Sequence, residues 1–183
     1  MRIPALLTLS VLAASAGTAF AQGTIDLPTR RAGQWEIRMQ AAQQPQGAPE
    51  MVVKTCIDQA TDRRMMQSGM SMLQQNCEKR EMRRDGSNYV IEAVCQMGPM
   101  RMTSNTTISG DFQASYSVRS SATIQMPNQA NPQTTNTVQE ARWVSASCTD
   151  GMVPGDILLP TGQKMNINSM PSMTPGQQPA PSR

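Results

Sequence analysis

The chain has no histidine among its 183 residues. This absence removes the most common general base, the most common metal ligand and the usual pH-sensitive side chain. A hydrolase of the Ser-His-Asp type is therefore excluded. Aromatic residues make up only 3% of the sequence, so the core must consist largely of Met, Val, Ile and Ala. No G-x-G-x-x-G or P-loop pattern is present, so nucleotide binding has no signature here.

Long apolar runs are lacking after the first residues of the chain. Arg2 precedes an apolar stretch, and Ala19-Phe20-Ala21 matches the A-x-A rule of signal peptidase. We therefore predict a signal peptide over residues 1–21, cleaved after Ala21. The next residue, Gln22, is not cysteine, so we expect no lipid anchor. No later segment is long and apolar enough to span a bilayer. The sequence thus predicts a periplasmic or secreted protein.

Strong charge of either sign is also lacking. The formal net charge is +3, and loss of Arg2 with the signal peptide leaves 15 basic and 13 acidic side chains. A net charge of +2 is too small to favour nucleic acid or an anionic membrane as a partner. The sequence indicates no cofactor and identifies no partner. An envelope protein or a small hydrophobic ligand would be a compatible partner.

Four cysteines are present, Cys56, Cys77, Cys95 and Cys148. An even number in an exported chain predicts two disulfides, and four cysteines allow three pairings. We favour Cys56–Cys77, which brackets a predicted helix, together with Cys95–Cys148. The spacings of 21, 18 and 53 residues contain no C-x-x-C pair, which argues against a zinc site. Pairing would also leave no free thiol to act as a nucleophile.

Alternating apolar and polar residues predict antiparallel strands with one polar face. The predicted strands cover residues 33–40, 51–56, 78–85, 89–97, 102–109, 112–126 and 137–148. The strand at 78–85 is charged on both faces and is therefore predicted to be an exposed or edge strand. The longest one is expected to bend near Ser120-Ser121, because fifteen residues at roughly 3.3 Å each would extend about 50 Å. Trp35 is predicted to be the main buried anchor of the domain.

Between the second and third strands the period changes to that of a helix, from Asp58 to about Gln74. Met66, Met70 and Leu73 form one apolar stripe. Asp58 and Asp62 lie one turn apart and could form a paired-carboxylate site, but capping and the helix dipole account for both residues.

These elements predict an α+β, mostly β fold, in which a helix packs across an antiparallel meander sheet of about six or seven strands. The predicted organisation is a flexible lead at 22–31, a disulfide-linked domain at 32–160 and a disordered tail at 161–183.

The chain resembles a widespread bacterial family of short exported proteins whose shared domain has no assigned function. The matching features are Gly33-Gln34-Trp35-Glu36, Cys56-Ile57-Asp58 before the helix, and the order of the remaining cysteines. The resemblance covers roughly residues 30–150. It implies a periplasmic location and two disulfides, and it implies no activity.

We therefore expect a non-enzymatic binding or envelope interaction module. One alternative is a carrier that holds a small hydrophobic ligand in a groove between sheet and helix. A second is weak Cu(I) binding or oxidant scavenging through methionines, of which the chain has 16. Met97, Met100 and Met102 are the candidate ligands, since they surround the strand break at Gly98-Pro99. In the helix, methionine is better explained as core packing.

Overall fold

The computed structural model describes residues 26–42 and 50–169. The predicted signal peptide at 1–21 lies outside these residues. So do residues 22–25 of the predicted lead, residues 43–49 between the first two strands, and residues 170–183 of the predicted tail.

One antiparallel sheet and one helix make up the fold. The strands are β1 (Gly33–Ala41), β2 (Met51–Ile57), β3 (Cys77–Asp85), β4 (Asn88–Met97), β5 (Met100–Asp111), β6 (Ser115–Gln125), β7 (Gln133–Ser145), β8 (Asp156–Leu158) and β9 (Lys164–Asn166). The helix α1 (Gln59–Asn76) joins β2 to β3, and a 3-10 turn follows at Ile167–Ser169. In the sheet the strand order is β3-β4-β5-β6-β7-β1-β2-β8-β9.

The mostly β, α+β class is confirmed, but the sheet has nine strands and not six or seven. The two additional strands, β8 and β9, form a short hairpin that pairs with β2. Only β3 to β7 form a meander, because β7 then pairs with β1 and places the β1–β2 hairpin beside it.

The predicted strand at 112–126 is shorter than expected. Residues 112–114 form the turn between β5 and β6, which Asp111 closes: its carboxylate accepts from the Gln113 amide at 2.8 Å and its carbonyl from the Ala114 amide at 3.0 Å. The register of β6 is unbroken against both neighbours, so β6 has no β-bulge near Ser120-Ser121. A strand of eleven residues does not need the bend that fifteen would have required.

The registers divide the strand residues between two faces, because directly opposed residues of antiparallel strands lie on the same side. We call one side the helix face, which carries Trp35, Ala93 and Ala122 and on which α1 lies. The other side, which carries Glu36 and Ser121, is called the opposite face.

Buried apolar residues form three clusters, and Tyr116 joins the first to the third because it packs against both. Trp35, Ile57 and Ala141 form the first; Cys77, Ala93 and Cys95 form the second; Tyr89, Ile108 and Phe112 form the third. Trp35 is 0% exposed, and its indole donates to the Arg31 carbonyl at 2.8 Å.

The structure explains why the motif at the start of β1 contains Gly33 and Gln34. Gly33 has φ +125° at an irregularity in the β1–β7 pairing, and a Cβ there would lie 2.1 Å from the Ser145 carbonyl oxygen. Only glycine therefore fits. The buried Gln34 accepts hydrogen bonds from the amide and the hydroxyl of Thr149 at 2.7 and 2.9 Å. It thereby holds the segment that follows β7 against the opposite face.

Two disulfides are present, but the favoured pairing is wrong. The bonds are Cys56–Cys148 and Cys77–Cys95. Cys56 and Cys77 flank an 18-residue helix, whose ends are separated by about 27 Å, whereas disulfide Cα atoms lie within about 7 Å. Cys77 instead faces Cys95 directly across the β3–β4 ladder. Cys148 reaches Cys56 because Thr149 is held by Gln34, the partner of Cys56 in the β1–β2 register.

The domain extends beyond its predicted limits at both ends. Leu27 packs against the third cluster and Arg30 contacts α1, so residues 26–31 are a bound segment and not a flexible lead. At the other end, β9 and the 3-10 turn lie within the predicted tail, so disorder from residue 161 is wrong for residues 164–169. Asn166 donates to the buried Asp156 at 2.7 Å, a long-range contact that composition did not indicate.

Thr55 supplies a prediction about stability. Its hydroxyl is the one buried side-chain polar atom without a hydrogen-bond partner in the described part of the chain. A buried unpaired polar group costs about 1–3 kcal/mol. We expect Thr55→Val, which keeps the shape and β-branching, to raise the free energy of unfolding by about 1 kcal/mol in urea denaturation. Thr61→Val is the control: the buried Thr61 hydrogen-bonds to Asp58, so that variant should lose stability. Destabilisation by Thr55→Val would contradict the assignment.

Candidate functional site

The helix α1 is attached to the sheet mainly at its two ends. Asp58 caps its start by accepting from the Thr61 amide at 2.7 Å, and hydrogen bonds from Thr61 lower the pKa of the Asp58 carboxyl. Near this end Met65 packs against the first cluster, and near the other end Leu73 packs against the second. The helix approaches β2 at its start and β3 and β4 at its end. Its middle therefore passes over the strands between them, β5, β6, β7 and β1.

The middle of α1 is not packed against these strands. Every residue from 67 to 72 is exposed, and Met70, part of the predicted apolar stripe, is 38% exposed. Only Thr61 and Asp62 are buried in the whole helix. The prediction of a helix across the sheet is right in direction, but its stripe is not buried along its length. The middle of α1 therefore adds no buried side chain to the core.

The part of the helix face that α1 crosses between its two ends has small side chains. Ala93, Ser104 and Ala122 lie directly opposite one another on β4, β5 and β6. In the next row Thr106 and Ser120 hydrogen-bond to each other through their hydroxyls at 2.9 Å. We call these five residues the floor. All but Ala93 are half-buried, so their surfaces remain accessible.

Thr135 and Thr137 on β7 and Arg80 on β3 border the floor at its sides. Larger apolar side chains lie at its ends and further along the same face. They are Met102 and Ile124 at one end, Ile91 and Val118 at the other, and Ile37 on β1. All five are half-buried. The arrangement is a shallow, mainly apolar site with a few hydroxyls in its floor, which is typical of sites for small molecules.

An ion pair closes the end of this region near the start of α1. Arg30 donates to the two carboxylate oxygens of Asp62 through its amide and its Nε, both at 2.7 Å. Its guanidinium also donates to the Tyr116 hydroxyl at 3.3 Å and contacts the Met65 sulfur at 3.4 Å. Burial alone would lower the pKa of Arg30, but Tyr116 and Asp62 raise it, so the guanidinium stays charged.

Asp62 is 0% exposed, and this environment separates it from Asp58. Asp58 is exposed and caps the helix, whereas both carboxylate oxygens of Asp62 accept hydrogen bonds from Arg30. The two residues therefore do not form the paired-carboxylate site that their spacing allowed. Sequence reasoning missed Arg30 entirely, because a single arginine in a segment without periodicity carries no local signal of a buried partner.

The three candidate copper ligands lie together on the helix face. Met97 opposes Met100 across the β4–β5 turn, and Met102 follows two residues later on the same face. Met102 also packs against the second cluster, while Met97 is 40% exposed. Among the described residues, no three His, Cys, Asp or Glu side chains form a group that could hold a metal ion.

A second depression lies on the opposite face between β3 and β6. Seven of its nine lining residues are polar or charged, although the surface that they expose is mainly apolar, and its two charged members, Lys79 and Glu92, already pair with each other at 3.5 Å. It therefore offers no unpaired charge to a ligand. The helix face is the better candidate because it combines accessible apolar surface with unpacked helix.

The segment that the structure describes has no helix long and apolar enough to cross a membrane. No curated protein and no solved structure matches the chain. A family model described as a protein of unknown function (DUF3617) matches residues 30–148. This match covers the sheet from β1 to β7, α1 and all four cysteines, so the chain belongs to the DUF3617 family.

Proposed function

We propose that this protein is a non-enzymatic, exported binding domain that carries a small hydrophobic ligand between α1 and the helix face. The observation that carries the proposal is the exposed middle of α1 above the floor. An apolar ligand seated there would cover Met70 and the half-buried side chains around Ala122. Burial of this surface would supply about 25 cal/mol for each Å² removed from water.

The floor suggests the chemistry of the ligand. Ser104, Thr106 and Ser120 place hydroxyls among apolar neighbours, and a hydroxyl can both donate and accept. The only ion pair at the edge of the region, within the described residues, is the internally satisfied one between Arg30 and Asp62.

Arg80 lies directly opposite Ala93 on the helix face and donates to the Cys77 carbonyl at 3.2 Å. The site therefore suits an apolar body such as the acyl chain of a fatty acid, whose carboxylate would lie towards Arg80.

Export and the absence of catalysis belong to the same proposal. Two disulfides are consistent with an oxidising compartment, and the sequence begins with the features of a signal peptide. A chain with no histidine and no free cysteine lacks two of the most common catalytic side chains. Methionine on the exposed helix would adapt to ligands of differing shape.

Filling the floor tests the proposal. Ala122→Trp places a large side chain in the space, and we expect it to weaken binding of the fluorescent fatty acid parinaric acid by at least about tenfold, equivalent to about 1.4 kcal/mol. Ser121→Trp is the matched control, since Ser121 is the neighbouring residue on the opposite face. It should bind the probe like the wild type. Equal binding by both variants, or no binding by the wild type, would contradict the site.

A further inference from the structure

A second region of the helix face has a different chemistry. Met97, Met100 and Met102 lie at the β4–β5 turn, and Met97 opposes Met100 directly. Opposed residues have Cβ atoms about 4.5–5.5 Å apart, and diagonal neighbours such as Met97 and Met102 are about 7–8 Å apart. Methionine has three flexible bonds before its methyl group, so the three sulfur atoms can meet above the turn.

We propose that these three thioethers form a binding site for Cu(I). Thioether sulfur is a soft ligand that favours Cu(I) over hard cations. The site is distinct from the floor, and its proposal does not depend on the hydrophobic ligand.

Exposure and turn geometry favour ligation over packing at this place. Met97 is 40% exposed at the end of β4, so it fills no cavity in the core. Gly98 has φ +58° within the tight turn, which brings the first two methionines face to face. Met102 is held on its other side by the second cluster, so one ligand of the three has a fixed position.

The charges near the turn do not oppose a cation on the helix face. Arg101 lies between Met100 and Met102 in sequence and therefore on the opposite face, where it forms an ion pair with Glu78. Thioethers carry no ionisable group, so proton competition would not displace the metal. A Cu(I) site made of carboxylates or amines would lose its metal on acidification, whereas this one should not.

The test is an anaerobic titration of the whole protein with Cu(I) in competition with the chromophoric chelator bicinchoninate. We expect the wild type to take up one Cu(I) ion per chain. The triple variant Met97→Leu, Met100→Leu, Met102→Leu should lose at least about tenfold in affinity. Leucine nearly conserves the volume of methionine, so the variant is expected to fold, which its circular dichroism checks.

Three further measurements keep the proposal falsifiable. Met51→Leu, on β2 at the far side of the sheet, is the control and should bind like the wild type. Met97→Leu alone changes an exposed side chain and should weaken binding even if the triple variant fails to fold. Binding by the wild type should persist at about pH 5, where a histidine site would be protonated. No uptake by the wild type, unchanged uptake by Met97→Leu, or loss at that pH would overturn the proposal.

Discussion

Replacement of Asp62 by alanine should destabilise the domain by about 3–5 kcal/mol, because it leaves the Arg30 guanidinium buried without a counter-charge. Asp62 is fully buried, and the Arg30 side chain is 13% exposed, so water cannot take over the lost interaction. Two hydrogen bonds at 2.7 Å would disappear with the carboxylate. Urea denaturation monitored by tryptophan fluorescence gives the free energy of unfolding.

Asp58→Ala is the matched control for this prediction. Asp58 lies one turn earlier and is exposed, so its loss removes a helix cap worth about 0.5–2 kcal/mol. The double variant Arg30→Met, Asp62→Leu should recover much of the stability, since apolar replacement of a buried ion pair is often neutral. A loss of less than about 1 kcal/mol in Asp62→Ala, similar to a surface pair, would show that the pair is not structurally important.

Removal of the Cys56–Cys148 bond should cost more than removal of Cys77–Cys95. The first bond links residues 92 apart and the second residues 18 apart. In the chain-entropy model, these loops correspond to about 4–5 and about 3 kcal/mol. The double variants Cys56→Ala, Cys148→Ala and Cys77→Ala, Cys95→Ala provide the comparison, each serving as the control for the other.

The melting temperatures of these variants under non-reducing conditions give the result. We expect both to fold and the Cys56–Cys148 variant to melt at the lower temperature. Peptide mapping of the wild type should recover Cys56 joined to Cys148. Recovery of Cys56 joined to Cys77 would contradict the connectivity, and a larger loss from the shorter loop would contradict the entropic explanation.

The sequence predicts most of the local structure, because local patterns determine it. Alternation identified most of the seven long strands, charge and the following turn signal identified β3, and the Asp58 cap with its helical period identified α1. The strands β8 and β9 were missed because three residues are too few to establish a period. Their stability comes from pairing with β2 and from the contact between Asp156 and Asn166.

The long-range features could not be predicted in the same way. The disulfide pairing depends on β3–β4 register and on Gln34, which binds Thr149 across 115 positions of sequence. The exposed middle of α1 depends on where the two ends of the helix dock. The spacing of its apolar stripe would also fit a buried helix. The sequence alone therefore does not show that residues 67–72 are exposed.

The floor was partly visible in the sequence. Alternation placed Ser120 and Ala122 on the apolar side of the longest predicted strand. A run of small residues on an otherwise apolar face can be recognised in a sequence. Close packing then requires larger side chains from the facing element to fill the space above the run. Here neither the floor nor the helix supplies that volume, and this is the physical basis of the proposed ligand site.

Native mass spectrometry of the protein purified from its own host tests the central claim most directly. The wild type and Ala122→Trp should be expressed and purified in parallel. We predict that the wild type retains a small hydrophobic molecule, seen as added mass that organic extraction removes, and that Ala122→Trp does not. The bare mass of the disulfide-bonded chain in both proteins, or the same adduct on both, would contradict ligand carriage by the helix face.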